Sequence, residues 1–348
     1  KAYVGLASVY WHKHSGDVLS ENYLDSMLIL LNIALSYDDQ LGGAYQKRGD
    51  YYRQNNDKEQ AIKEYNKALE INPNDWVVYL NSAIGLYDDE TIIIERLLKS
   101  ASLHRGFYLS RLYRLIAFHL SAFSNEKSKY YLEEALKLDD DSADHFNSLA
   151  RIEHRKGDFK KSIAYGNKSY LFDSTINSVV YRLGINHSFL GQYEESLEYF
   201  KKYEVLNTLK NADPRNDDIG DKFRIGYAYF MNGFKEEGEN YIDEGLKLYN
   251  QMLDLNRISP QDLYTLYGFA AAYACRGERD KALEHLRIFS KQQKMPIWRY
   301  ENINSDPMFD SIRDEPEFQQ IIRNVEAKYQ AEHERVSQWL EENHILLN

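Results

Sequence analysis

Arg114, Arg182 and Arg224 each stand fourteen residues ahead of a small residue: Ser128, Ser196 and Gly238 respectively. Arg151 falls between the first two, eleven residues ahead of Ser162, one helical turn out of the same register. Aromatic or amide neighbours accompany them: Tyr113, Asn147, Tyr181 and Phe223, with Tyr227 one turn on from Phe223. A guanidinium binds a carboxylate through two parallel N–H···O bonds, and neighbouring rings suit the apolar side chains of a peptide. The chemistry on offer is recognition of an acidic or carboxylate-terminated segment, not bond making. The competing expectation is that each arginine pairs with an acid on an adjacent helix or loop, a surface arrangement worth only ~0–1 kcal/mol.

Other chemistry is sparse. The sequence contains no phosphate-binding glycine loop, HExxH helix, CxxC pair or GxSxG elbow, so no catalytic residue and no cofactor is expected. His12 and His14 flank Lys13, and His104, His119, His145, His154 and His187 add further imidazoles, but no metal-ligand spacing links them. His119 and His187 occupy a place held elsewhere by Tyr52, Tyr229 and Tyr273, which marks them as packing residues. The acidic runs Asp88-Asp89-Glu90 and Asp139-Asp140-Asp141 read as helix caps rather than paired catalytic carboxylates. Cys275 adjoins Arg276, which lowers a thiol pKa, yet it ends the small-residue stretch GFAAAYAC and reads as buried and inert.

The elements that must position the arginines follow from a repeating frame. With Ala61 as a pivot, equivalent positions fall at Met27, Ile94, Ser128, Ser162, Ser196, Gly238 and Ala282, mostly 34 residues apart or one short of it. Mostly small residues recur twelve before the pivot (Gly49, Ala150, Gly184, Gly226, Ala270), and many large ones four after it (Tyr65, Leu98, Leu132, Phe200, Ile242, Leu286). Small residues at fixed places let two antiparallel helices approach closely, while large ones fill the gap to the next pair. A period near 34 is that of stacked helical hairpins. Turns such as Lys156-Gly157-Asp158, Leu190-Gly191-Gln192 and Asn232-Gly233-Phe234 supply glycine where the first helix ends. Polar, proline-bearing or lengthened stretches near 11–23, 207–218 and 253–262 read as inserts.

The chain has 348 residues, 43% of them hydrophobic, with 29 tyrosines, enough for a continuous core without a split into separate globules. Its net charge of −11 argues against a nucleic-acid backbone as main ligand. One cysteine excludes an internal disulfide, and no apolar run is long enough to span a bilayer. The chain opens on Lys1 inside a repeat and without methionine, as expected of a piece of a longer protein.

The pattern resembles the tetratricopeptide repeat family over roughly residues 1–296, most clearly in AYQKRGDYYRQNNDKEQAIKEYNKALEINPND, from Ala44 to Asp75. The resemblance implies an all-α, right-handed superhelical solenoid of about eight hairpins. It also implies that the first helix of each hairpin lines a concave, peptide-binding surface, which places the arginines there. Chaperone-tail-binding members clamp their ligand with lysine and asparagine, and only Asn147 matches in type, so a chaperone partner does not follow.

After residue 296 the pattern changes. DPMFDSIRDEPEFQQII and the opening AYVGLASVYW resemble the repeat region of bacterial signalling proteins that carry a TolB-like, adenylate-cyclase or DNA-binding part. Phe309, Ile312, Phe318, Ile321 and Ile322 give residues 297–348 an apolar side able to cap the last hairpin. Ile322, Val325, Tyr329, Val336 and Trp339 follow a broken heptad, so a dimerising helix and a homodimer are the alternative. The expected function is a non-enzymatic, protein-binding scaffold, cytoplasmic or the soluble part of an anchored or exported protein. The alternatives are a small-molecule or signalling-peptide sensor controlling an effector, and the non-catalytic part of a cyclase-like fusion.

Overall fold

The computed structural model describes residues 1–16, 23–55, 57–84, 86, 89–209, 219–255, 258–260, 262–292 and 302–343. All of the described secondary structure is helical, and it is arranged as hairpins. In chain order these are α1 (Ala2–Gly16) with α2 (Tyr23–Tyr37), α3 (Gly42–Gln54) with α4 (Lys58–Ile71), and α5 (Trp76–Ala83) with α6 (Glu90–Leu103). Then come α7 (Leu109–Leu120) with α8 (Asn125–Asp139), α9 (Ser142–Arg155) with α10 (Phe159–Phe172), and α11 (Asn177–Phe189) with α12 (Tyr193–Leu209). The last two are α13 (Ile219–Met231) with α14 (Lys235–Asp254) and α15 (Leu263–Cys275) with α16 (Arg279–Lys291). A 3-10 segment, Pro307–Ile312, and the long α17, Pro316–Glu342, follow among the described residues. Of the inserts expected near 11–23, 207–218 and 253–262, residues 17–22, 210–218, 256–257 and 261 lie outside the described residues.

The pivots explain the hairpins. Met27, Ala61, Ile94, Ser162, Ser196 and Ala282 are fully buried, and Ser128 nearly so. Three successive serines do more than fill space. Ser128 Oγ donates to the Ala117 carbonyl at 2.8 Å, Ser162 Oγ to that of Ala150 at 2.6 Å, and Ser196 Oγ to that of Gly184 at 2.8 Å. Each ties the second helix to the first while satisfying a buried hydroxyl. Gly184 gives the Phe200 ring its room, since a Cβ there would lie 2.9 Å from Cε1. Val180, Leu197, Phe200, Tyr203, Ile225 and Ala228 then form one apolar cluster joining α11, α12 and α13.

The turns follow a shared rule. Gly157 adopts φ +74°, and the Gly157 and Asp158 amides bond back to His154 and Glu153 at 3.0 and 2.9 Å. Asp158 then accepts from the Lys161 amide at 3.0 Å and so caps α10.

The chain divides into two compact units. The first is built mainly from Lys1–Tyr108, and the second mainly from Leu109–Ala212, Asp217–Leu248 and Pro260–Asn348. In the first, Asp50 is buried and held by Tyr65 Oη at 2.5 Å and Asn81 Nδ2 at 3.2 Å. Burial outweighs these bonds and raises the Asp50 pKa. In the second, contacts of α7 with α9, α9 with α11 and α13 with α15 bring first helices of the hairpins alongside one another.

The C-terminal region takes a different course from a simple end cap. Asn302 Nδ2 donates to the His154 carbonyl on α9 at 3.2 Å, and Ser311 Oγ to that of Ala274 on α15 at 2.6 Å. Phe309, Ile312, Phe318, Ile321 and Ile322 are all buried, as the apolar pattern requires. Lys328 on α17 caps the end of α16, donating to the Ser290 and Gln292 carbonyls at 2.6 Å each. Further along, His333 Nε2 lies 3.0 Å from the Ala122 carbonyl in the turn between α7 and α8. The helix, about 40 Å long at 1.5 Å per residue, thus runs from the last hairpin of the second unit to its first. Of the heptad positions, Ile322, Val325 and Val336 are buried within the chain itself, whereas Tyr329 and Trp339 are half-buried.

Candidate functional site

The four arginines of the first helices have different surroundings. Arg114 on α7 is 7% exposed and grips Asp139 with both arms, at 2.6 and 2.8 Å, with Asp144 at 3.4 Å. Partial burial opposes ionisation of Asp139, but the Arg114 and Ser110 bonds prevail and lower its pKa to about 2. Here the internal ion pair is what the structure contains.

Arg224 on α13 is also paired, with a carboxylate from the far end of the chain. Its Nη1 donates to Asp306 Oδ1 at 2.7 Å and its Nη2 to Asp306 Oδ2, while Tyr267 Oη adds a bond of 2.6 Å. Asp306 is fully buried. Burial raises its pKa and Arg224 lowers it, with a net shift downward. Tyr227 Oη donates to the Pro307 carbonyl at 3.3 Å. A turn and the 3-10 segment that follows it, Asn302–Ile312, therefore contact α9, α13 and α15, with the Asp306 carboxylate on an arginine of the expected row.

Arg151 and Arg182 have no carboxylate among the described residues. Arg182 Nη2 reaches Asn147 Oδ1 at 3.4 Å, and its Nε is buried without a partner. Arg151, one turn along α9 from Asn147, lies over the Phe118 ring at 4.5 Å. Burial, then the charge of Arg151, lowers the Arg182 pKa to about 9. His154, a further turn along, holds Asn186 Oδ1 through Nδ1 at 2.6 Å. Burial, with Arg182, lowers its pKa to about 4 despite that bond, which leaves a neutral imidazole at pH 7.

The rings preceding the arginines do not share their face. Tyr181 packs on Phe200 and Tyr203, with centroids 5.7 and 5.0 Å away, and Phe223 is 2% exposed against Phe269. Tyr113 contacts Tyr131 at 5.4 Å within the α7–α8 hairpin. Adjacent helical residues diverge by about 100°, so an arginine facing outward puts its predecessor in the hairpin core. The interleaved ladder expected from sequence is thus corrected to two paired arginines, an adjacent pair lacking carboxylates, and rings that belong to the core. Asp306, Tyr267 and Phe118 were missed, because only long-range folding brings them to the arginines.

Of the remaining candidates, Cys275 is half-buried, and burial raises its pKa to about 12, with Glu239 adding to the shift and Arg276 opposing it. Arg276 is instead bound to Glu239 at 2.6 Å and to Asp243. His187 stacks on Tyr199 at 5.3 Å. Among the described residues, no group of three or more His, Cys, Asp or Glu side chains is placed to hold a metal, and no helix is long and apolar enough to cross a membrane.

A family model described as Tetratricopeptide repeat matches residues 42–75 and 178–204, which lie on the α3–α4 and α11–α12 hairpins. A TPR repeat-containing protein of Methanocaldococcus jannaschii is 24% identical over 275 residues; these cover 75% of this chain and 43% of that protein, so the chain spans less than half of its relative's length. Among solved structures, Pseudomonas aeruginosa PilF aligns with a TM-score of 0.43 at 16% identity, covering 59% of this chain and 90% of PilF. The Cut9–Hcn1 hetero-tetramer of the APC/C gives 0.47 at 14%, covering 88% of this chain and 53% of the other. The matched repeats coincide with helical hairpins whose pivots are buried in register, so the chain carries tetratricopeptide repeats at these two stretches.

Proposed function

We propose that the chain is a non-catalytic module that binds an acidic or carboxylate-terminated segment of another protein along the first-helix side of its second unit. Tetratricopeptide-repeat proteins are generally protein-binding scaffolds. The observation that supports the reading is the resident stretch around Asp306, with a carboxylate on Arg224 and a backbone carbonyl on Tyr227. Arg151 and Arg182 offer the same chemistry to an incoming segment. The likeness of both chain ends to bacterial signalling proteins supports a role as the C-terminal interaction module of a regulator, without cyclase chemistry of its own.

The test is fluorescence anisotropy with a labelled hexaglutamate peptide and the full chain. Arg182→Glu should weaken binding by at least several-fold while leaving the thermal midpoint almost unchanged, because among the described residues no carboxylate loses its partner. Equal affinity of variant and parent would remove the reading.

A further inference from the structure

Each charge seat on the first-helix side of the second unit can be read by its balance. At Arg114 one guanidinium meets Asp139 and Asp144, and at Arg224 one guanidinium meets Asp306. At Arg151 and Arg182 two guanidiniums stand within each other's field; the charges of Arg155 and Asp144 also act on Arg151 and oppose one another, and no carboxylate is bonded to either guanidinium among the described residues. Burying like charges together destabilises a fold, and such strain persists where a ligand relieves it.

The local geometry holds both groups in place. Asn147 Oδ1 contacts the Arg182 fork, and the Phe118 face supports Arg151, on successive turns of α9. The Nε of Arg182 is a buried donor with no acceptor among the described residues. His154 on the next turn is bonded to Asn186 and supplies no competing negative charge. Asp306 already fills the neighbouring Arg224 seat, and among the described residues no carboxylate fills the one at Arg151 and Arg182.

A carboxylate placed there would leave one positive charge uncompensated. A phosphomonoester near neutral pH carries about −1.5 to −2 and three acceptor oxygens, enough to neutralise both guanidiniums and engage two forks. We infer that Arg151 and Arg182 form a seat for the phosphate dianion of a phosphorylated side chain on the partner segment. The inference rests on the segment-binding reading above and specifies its acidic group.

Calorimetric titration of the full chain would use three degenerate hexapeptide pools carrying phosphoserine, glutamate or serine at the centre, with phenyl phosphate as a small-molecule arm. The phosphoserine pool should bind at least ~10-fold more tightly than the glutamate pool and more tightly than phenyl phosphate. Arg151→Gln and Arg182→Gln should each abolish that preference with helicity and thermal midpoint preserved. Arg182→Lys, which keeps the charge but loses the fork, should retain only part of it. Equal binding of the phosphoserine and glutamate pools would overturn the phosphate seat yet leave segment binding intact. Failure of every pool would overturn both. Phenyl phosphate binding as tightly as the phosphoserine pool would overturn the peptide as carrier and assign the seat to a free phosphorylated small molecule.

Discussion

At the scale of single residues, the fate of each arginine depends on a partner that local sequence does not reveal. Spacing placed Arg114, Arg182 and Arg224 in register, but Asp306 lies 82 residues from Arg224, and no periodicity links them. Removing this buried acid should be costly. Asp306→Ala leaves Arg224 charged and unpaired and should destabilise the second unit by about 3–5 kcal/mol, measurable by chemical denaturation. A loss below ~1 kcal/mol would mean that water replaces the carboxylate. His154 gives a pH signature. Its folded pKa of about 4 lies below the ~6.5 of an unfolded histidine, so its contribution is complete above pH ~6.5 and is lost as pH falls towards 4. Stability should decline across that window by at most ~1.4 kcal/mol per pH unit from this group, and His154→Asn should flatten the profile. Asp139 acts lower, losing its Arg114-linked contribution only as pH falls from ~3.8 to about 2.

At the scale of helices, the sequence was most informative. A pivot followed four residues later by a large residue locates the buried seam of a hairpin, and Ala61 with Tyr65, Ser196 with Phe200 and Ala282 with Leu286 are all essentially buried. The pattern reported size and polarity but not bonding, so the serine-to-carbonyl links between paired helices were invisible in it. Nor did it show which way a ring next to an arginine would point, which depends on how each first helix is rotated against its partner. The close approach at Gly184 makes a sharp test. Gly184→Ala places a methyl 2.9 Å from the Phe200 ring and should cost about 1–3 kcal/mol, since the ring lies in a packed cluster with little room to retreat. An unchanged denaturation midpoint would show that the α11–α12 pair relaxes freely.

At the scale of the whole molecule, the tail is an internal brace for the second unit, where sequence offered a terminal cap or a dimer contact. Its apolar residues were legible; its path across α9, α13 and α15 was not, because that path is fixed by Asn302, Asp306, Ser311 and His333 finding partners far away in sequence. In a chain truncated after Gln292, amide hydrogen exchange should quicken in α9, α13 and α15 while α3 and α4 keep their protection. Unchanged exchange in the former helices would deny the brace. The contact between His333 and Ala122 joins positions 211 residues apart. A ribosome makes α17 after every helix it contacts, so the turn at Ala122 must wait, already translated, while the intervening hairpins emerge. Early hairpins can form from neighbours during synthesis, whereas closure of this long loop cannot begin before α17 has emerged. Nascent chains stalled short of α17 would therefore expose apolar surface on the second unit and become clients for chaperones.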